Sequence, residues 1–215
     1  VYRHPFPGRG LSINVLCHDG RFTETSELDE ARRSLRSMDL SGAFPKTEIG
    51  GGKPAFERID VLPVKSVGVQ GDFRTYRFPA VLHFADVFGS FPSWDSLERA
   101  SSSITNASAG VNRTILCLRE SGPQGSVNGL ALREGYCDRG RLDQTREVDA
   151  IVLEELKASL WYHRIFQHLT INLPYAREDG HSSIVLRPVV SEELMTARFA
   201  NLDLSVLERI DNSIA

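Results

Sequence analysis

Between positions 146 and 161 the apolar residues step by three and four. Val148, Ile151, Val152, Leu156 and Leu160 form one stripe, interrupted only by Glu155 and Ser159. That spacing predicts an amphipathic helix. A thinner stripe of Leu28, Ala31, Leu35 and Met38 predicts a helix over 26–38. Two more helices are expected, over 94–104 with Ser93 as N-cap and over 203–214 with Asp203 as N-cap. Apolar runs bounded by turn residues predict strands over 61–69, 74–84, 111–118, 169–173 and 183–190. Pro174 is expected to end the fourth of these. The polar stretch 175–181 reads as a turn, and 41–54 as a loop containing Gly50-Gly51-Gly52.

The two halves of the chain echo each other. Leu62-Pro63 and Leu173-Pro174 lie 111 positions apart, and Leu97-E-R-A-S-S-S-Ile104 matches Leu207-E-R-I-D-N-S-Ile214 at an offset of 110. Two landmarks at nearly one offset point to a tandem duplication. Each unit reads as helix, two strands, helix, strand, which is an α+β two-layer arrangement with an antiparallel sheet. The expected organisation is a connector over 1–10, a first unit over 11–118, a linker over 119–143 and a second unit over 144–215. The connector carries Pro5, Pro7, Gly8 and Gly10 and reads as a hinge cut from something longer. No counterpart of the strand 111–118 is present in the second unit, which is expected to be incomplete. Two such units are expected to pack as a pseudo-symmetric pair within the chain, as two subunits of a homodimer would.

Composition narrows the function classes. With 41% hydrophobic and 25% charged residues the chain is of ordinary globular type. A formal net charge of -3 gives no general attraction to nucleic acid or to an anionic membrane. Cys17, Cys117 and Cys137 are odd in number and lack CxxC spacing, so a disulfide framework is not expected and a reducing, cytoplasmic setting is. Cys17 and Cys117 fall on expected strands as small buried thiols. His163 and His168 are five apart and share no helix face, and no metal site is expected. The segment Ile49-G-G-G-K-Pro54 lacks the Ser/Thr and the helix of a phosphate loop. The arginines at 133, 139, 141 and 146 are interleaved with acids and read as a solvated face.

One turn stands apart. In Val64-K-S-V-G-V-Q-G-D-F-R-T-Y-R-Phe78, Gly71-Asp72-x-Arg74 breaks a hydrophobic run with charge. As a plain hairpin, Gly-Asp turns the chain and Arg74 pairs with Asp72. As a site, a carboxylate and a guanidinium on a rigid turn can meet a purine ring N–H and an anionic group.

Several longer stretches carry a family resemblance. Arg3-H-P-F-P-G-x-G-Leu11, Leu62-P-V-K-S-V-G-V-Q-G-D-x-R-T-Tyr76 and Gly110-V-N-Arg113 resemble the C-terminal part of glutamine-hydrolysing GMP synthase. So do Asp149-A-I-V-L-E-E-Leu156, Ile165-x-Gln167, Leu173-Pro174 and Met195-Thr196. The tandem form is similar to the larger type of that enzyme, in which the dimerisation domain occurs twice. The resemblance implies an XMP-binding and dimerisation module. It also implies partner domains, a glutaminase and an ATP pyrophosphatase using ATP and Mg, whose motifs do not occur in these residues. The fragment alone is therefore expected to be inactive and to need no cofactor of its own. By residue, the resemblance carries XMP contacts over to Asp72 and Gln167, with Arg74 added from the same motif. The family's terminal KPPxTxEWE segment is absent, and Arg9, Ser12 and Asn14 depart from the family pattern at the hinge. Position 56, the repeat partner of Gln167, is Phe56, and position 183, that of Asp72, is Ser183. Each copy thus keeps one half of what one-copy enzymes hold together, and a composite site is the expectation. Two rival readings remain open: a purely structural association module with a degenerate pocket, and an RNA-binding unit, which the missing GxxG loop disfavours.

Overall fold

The computed structural model describes residues 4–5, 10–21, 25–44, 56–70, 73–120, 131–176, 182–191 and 197–214. In chain order the elements are β1 (His18–Asp19), α1 (Ser26–Arg36), β2 (Phe56–Val61), β3 (Ser66–Gln70), β4 (Phe73–Phe84), α2 (Trp94–Ala107) and β5 (Val111–Leu116). Then come β6 (Ala131–Leu132), β7 (Glu134–Gly135), α3 (Arg139–Ala158), β8 (Gln167–Ala176), β9 (Ser182–Val190), β10 (Arg198–Phe199) and α4 (Leu204–Ile214). They form an α+β fold in two compact units, one over 23–126 and the other over 1–22 together with 127–215.

In the unit over 23–126 the long strand β4 is the organiser. β3 pairs antiparallel with its first half, Ser66 to Gln70 opposite Arg77 to Phe73. β2 pairs antiparallel with its second half, and β5 joins it there in parallel. The parallel strand differs from the all-antiparallel sheet expected, and α2 is the crossover that makes it possible. Pro79, inside β4, has no N–H to offer a ladder, and the β5 register shifts between Phe78 and Pro79. The expected single strand over 61–69 is two strands, β2 and β3, because Leu62-Pro63 interrupts the ladder. Alternate residues of β4, Phe78, Ala80, Leu82 and Phe84, enter one core with Leu28, Ala31 and Leu35 of α1 and Ala100 and Ile104 of α2. Both helices are capped by hydroxyls: Thr25 accepts from the Leu28 N–H, and Ser93 from the Ser96 N–H.

In the other unit α3 begins at Arg139, seven residues before the expected start, with Asp138 as N-cap accepting from the Arg141 N–H. Much of the stretch read as linker is therefore helix and short strand. The sheet runs β10-β9-β8-β6, and β1 pairs separately with β7. β8 does not stop at Pro174 but continues to Ala176 across a register shift against β9. The proline is tolerated because the irregularity removes the ladder bond its nitrogen cannot make. Asp203 precedes α4 as expected, and its carboxylate accepts from Trp161 Nε1 at 3.0 Å. Cys17 is exposed and outside any strand, contrary to the buried thiol expected. Each unit contains a helix, an antiparallel strand pair and a second helix in that order.

A buried polar line joins α3 to β8. On the strand, His168, Thr170 and Asn172 share one face, since side chains alternate. His168 Nε2 lies 3.0 Å from Thr170 Oγ1, and Thr170 Oγ1 donates to Asp149 Oδ1 at 2.8 Å. The Thr170 hydroxyl proton being so used, its oxygen accepts from a protonated Nε2. Asn172 Nδ2 donates to Gln144 Oε1 at 3.0 Å, and Arg141 Nη2 donates to Asn172 Oδ1 at 2.7 Å. Burial pushes the His168 imidazole down to about 3, with a smaller contribution from His4, and burial raises the Asp149 carboxyl. Among the described residues His168 Nδ1 has no hydrogen-bond partner, consistent with an imidazole that stays neutral.

Leu160 has φ 63 at the end of α3 and is largely solvent-exposed, whereas Leu156 is fully buried one turn earlier. Leu156→Ala costs about 2–5 kcal/mol, while Leu160→Gly leaves stability unchanged or raises it by up to ~1 kcal/mol, because glycine takes the left-handed conformation without strain. Urea unfolding of the two variants measures both. His168 binds its proton in the unfolded chain near pH 6.5 but in the folded chain only near pH 3. Stability therefore falls as pH drops below about 6.5, by at most about 1.4 kcal/mol per pH unit from this group. His168→Gln flattens the stability profile between pH 7 and pH 5; an unchanged slope would show that the buried ring is not its source.

Candidate functional site

Gln167 opens β8, paired with Val189 of β9. It is half-buried and stands on the opposite face from His168, whose partners on α3 fix the register. Its Nε2 donates to the Pro5 carbonyl at 2.8 Å. That bond uses one of the two amide hydrogens and leaves the side-chain oxygen as an acceptor. The Pro5 carbonyl is held nearby by its neighbour: the His4 ring stacks on Tyr162 with centroids 4.1 Å apart, and His4 Nε2 lies 2.7 Å from the Tyr162 carbonyl. Tyr162 belongs to the 3-10 turn Trp161–His163 just before β8. A short aromatic platform thus anchors His4-Pro5 beside the first residue of the strand.

In the other unit, Arg74 lies on β4 opposite Val69 and is exposed. Near it Tyr76 and Val67 form an exposed pair, opposite each other in the β3–β4 register. Arg113 donates from Nη2 to the Val67 carbonyl, and Asn112 ties β5 to β3 by accepting from Ser66 Oγ at 2.9 Å and donating to the Ser66 carbonyl at 2.8 Å. Gly68 is required at this crossing, since a Cβ there would meet Asn112 Nδ2 at 2.8 Å. The motif Gly110-V-N-Arg113 thus braces the hairpin that carries Arg74. Asp72 and Gly71 lie outside the described residues, as do the Gly50–Gly52 loop and Met195-Thr196.

Sequence reasoning missed a second group in this unit. Arg58 and Asp60 share one face of β2, and His83 lies opposite Arg58 on β4. His83 Nε2 is 3.1 Å from Asp60 Oδ2, and its Nδ1 meets Glu120 Oε1. Arg58 bonds to Asp60 through Nε at 3.0 Å and to Glu120 through Nη2. The hydrogen bond from His83, more than any other contact, holds the Asp60 carboxyl below its usual range against the opposing effect of burial. The signal was present as charged residues at 58 and 60, two apart on a strand, but their partners at 83 and 120 are remote in sequence. A cleft of about 580 Å³ lined by Asp39, Asp95, Glu98 and Arg99 holds, among the described residues, neither Arg74 nor Gln167.

No family model matches the chain. Against curated proteins it is 32% identical over 214 residues to a probable glutamine-hydrolysing GMP synthase of Leptospira interrogans, a match that covers 98% of this chain and 31% of the relative. It is 40% identical over 134 residues to the glutamine-hydrolysing GMP synthase of Prochlorococcus marinus (59% of this chain, 24% of the relative), and 38% identical over the same length to that of a Synechococcus strain. The chain spans less than a third of the length of these curated relatives. Over nearly its whole length the chain is thus similar to one segment of glutamine-hydrolysing GMP synthases.

Proposed function

We propose that this chain is the C-terminal XMP-binding and dimerisation module of a GMP synthase, working in the cytoplasm within GMP biosynthesis. The observation that carries this reading is the match over 98% of the chain to a relative named for that activity. In this reading ATP, Mg and glutamine-derived ammonia are handled by the ATP-pyrophosphatase and glutaminase domains, and the module on its own makes no GMP. Its contribution is positional: it holds XMP in register with the adenylating centre, which lowers the barrier by orienting the reactants.

The half-buried amide of Gln167 supports a role in that task. An amide set at the start of a strand and steadied by Pro5 presents a donor and an acceptor with little freedom to lose on binding. We assign Gln167 to the purine or ribose edge and Asp72 to the purine ring N–H. Arg74, exposed on β4, steadies Asp72 or meets ligand charge. The net charge of -3 supports the exclusion of nucleic acid as partner, and no helix among the described residues is long and apolar enough to cross a membrane.

Steady-state kinetics of a full-length GMP synthase carrying this segment tests the assignment. A neutral hydrogen bond is worth about 0.5–1.5 kcal/mol, so Gln167→Ala raises the KM for XMP by about twofold to tenfold, with the KM for ATP unchanged. Asp72→Ala, which removes a charged acceptor, has the larger effect. If both variants keep the parent KM for XMP, the module serves association alone.

A further inference from the structure

His83 is 6% exposed and stands between two carboxylates. Arg58 Nη2 lies 3.2 Å from its Nδ1. A guanidinium only donates, so in that contact Nδ1 carries a lone pair, and the ring proton sits on Nε2, donated to Asp60. The Nδ1 lone pair then faces Glu120 Oε1 in short contact. Two acceptors set against each other in a largely buried place are favourable only with a cation between or beside them. The third side is closed by a thiol: ligand atoms of His83, Cys117 and Glu120 all lie within 4.8 Å of one another.

We propose that His83 Nδ1, Cys117 Sγ and Glu120 Oε1 form a zinc site, with Asp60 orienting the imidazole. The donor set is an imidazole, a thiolate and a carboxylate, which suits Zn²⁺ better than Mg²⁺ or Ca²⁺, both of which take oxygen alone. A carboxylate on the remote nitrogen of a ligating histidine is the arrangement that fixes the tautomer and raises the basicity of the ligand. Binding releases the Cys117 thiol proton, and the thiolate and Glu120 carboxylate then balance the charge of the ion. Three protein ligands leave a fourth position for water.

Arg58 is the competitor for this place. Its Nη2 holds Glu120 and His83 Nδ1, while its Nε is bonded to Asp60 at 3.0 Å and its Nη1 lies 3.6 Å from Glu57. With a metal present the guanidinium keeps Asp60 and Glu57 and gives up the other two. The site thus exchanges an organic cation for a metal ion, and the strength of metal binding is set by how readily Arg58 withdraws. This inference is independent of the XMP assignment.

Cobalt(II) titration of the purified, metal-stripped chain tests it. The expected result is one equivalent of cobalt giving tetrahedral d–d bands and a thiolate-to-cobalt charge-transfer band, both abolished by stoichiometric zinc. Cys117→Ser removes the charge-transfer band, whereas Cys17→Ser and Cys137→Ser, at the two exposed cysteines, leave it intact. Arg58→Met removes the competitor and tightens cobalt binding at least tenfold, an effect that a purely structural ion-pair cluster does not show. Circular dichroism confirms that each variant is folded. Absence of the bands in the folded parent chain and in folded Arg58→Met overturns the proposal, as does a charge-transfer band that survives in Cys117→Ser.

Discussion

A buried amide, Asn172, is the constraint on which the unit containing α3 depends. Its side chain is fully buried and must find partners for both its ends. Arg141 and Gln144 supply them, and the Asn172 backbone carbonyl accepts from the Leu16 N–H at 2.9 Å and from Arg141 Nη2 at 3.3 Å. One residue therefore locks the start of α3, the middle of β8 and the segment that follows the connector. A slip of β8 by one position would turn Asn172, Thr170 and His168 to the wrong face and strand three polar groups. The same register places Gln167 on the face away from α3. The direction of the proposed XMP contact is thus a consequence of where the polar line must lie.

The unit built on β4 solves a different problem. Both faces of that strand are buried, with Ala80 and Leu82 on one and Val81 and His83 on the other. The second face brings a histidine together with two carboxylates, an arginine and a thiol. Burial there is tolerated because Arg58 and the His83 ring give each carboxylate a hydrogen-bonding partner, as buried charges require. Such a cluster contributes little to stability beyond what apolar residues of the same shape would give. A cation-exchange role gives it a use that packing alone does not.

Much of the fold was legible in the sequence because helices announce themselves locally. The stripe from Val148 to Leu156 and the cap at Ser93 each belong to a single element. α3 still began earlier than its stripe, because residues 139–145 form the polar end of the helix and bury only Thr145 there. Strand ends were misread at two prolines: Pro63 split one expected strand, while Pro174 failed to end another. The difference lies in the partner strand, which can bulge around a missing N–H or not. Of the candidate site, Gln167 came from the family resemblance alone, whereas Arg74 was marked beforehand by the charged turn at 71–74. The cluster at His83 was not legible, since its members at 58, 60, 83, 117 and 120 meet only after β2, β4 and β5 have paired.

The proposed role of Gln167 requires that the start of β8 present a residue to XMP. Hydrogen–deuterium exchange of the full-length enzyme, with and without XMP, measures this at the peptide spanning residues 165–173. Exchange in that peptide slows on adding XMP, and the slowing is lost in Gln167→Ala. Exchange there that is indifferent to XMP, while peptides of the ATP-binding domain respond, would contradict it.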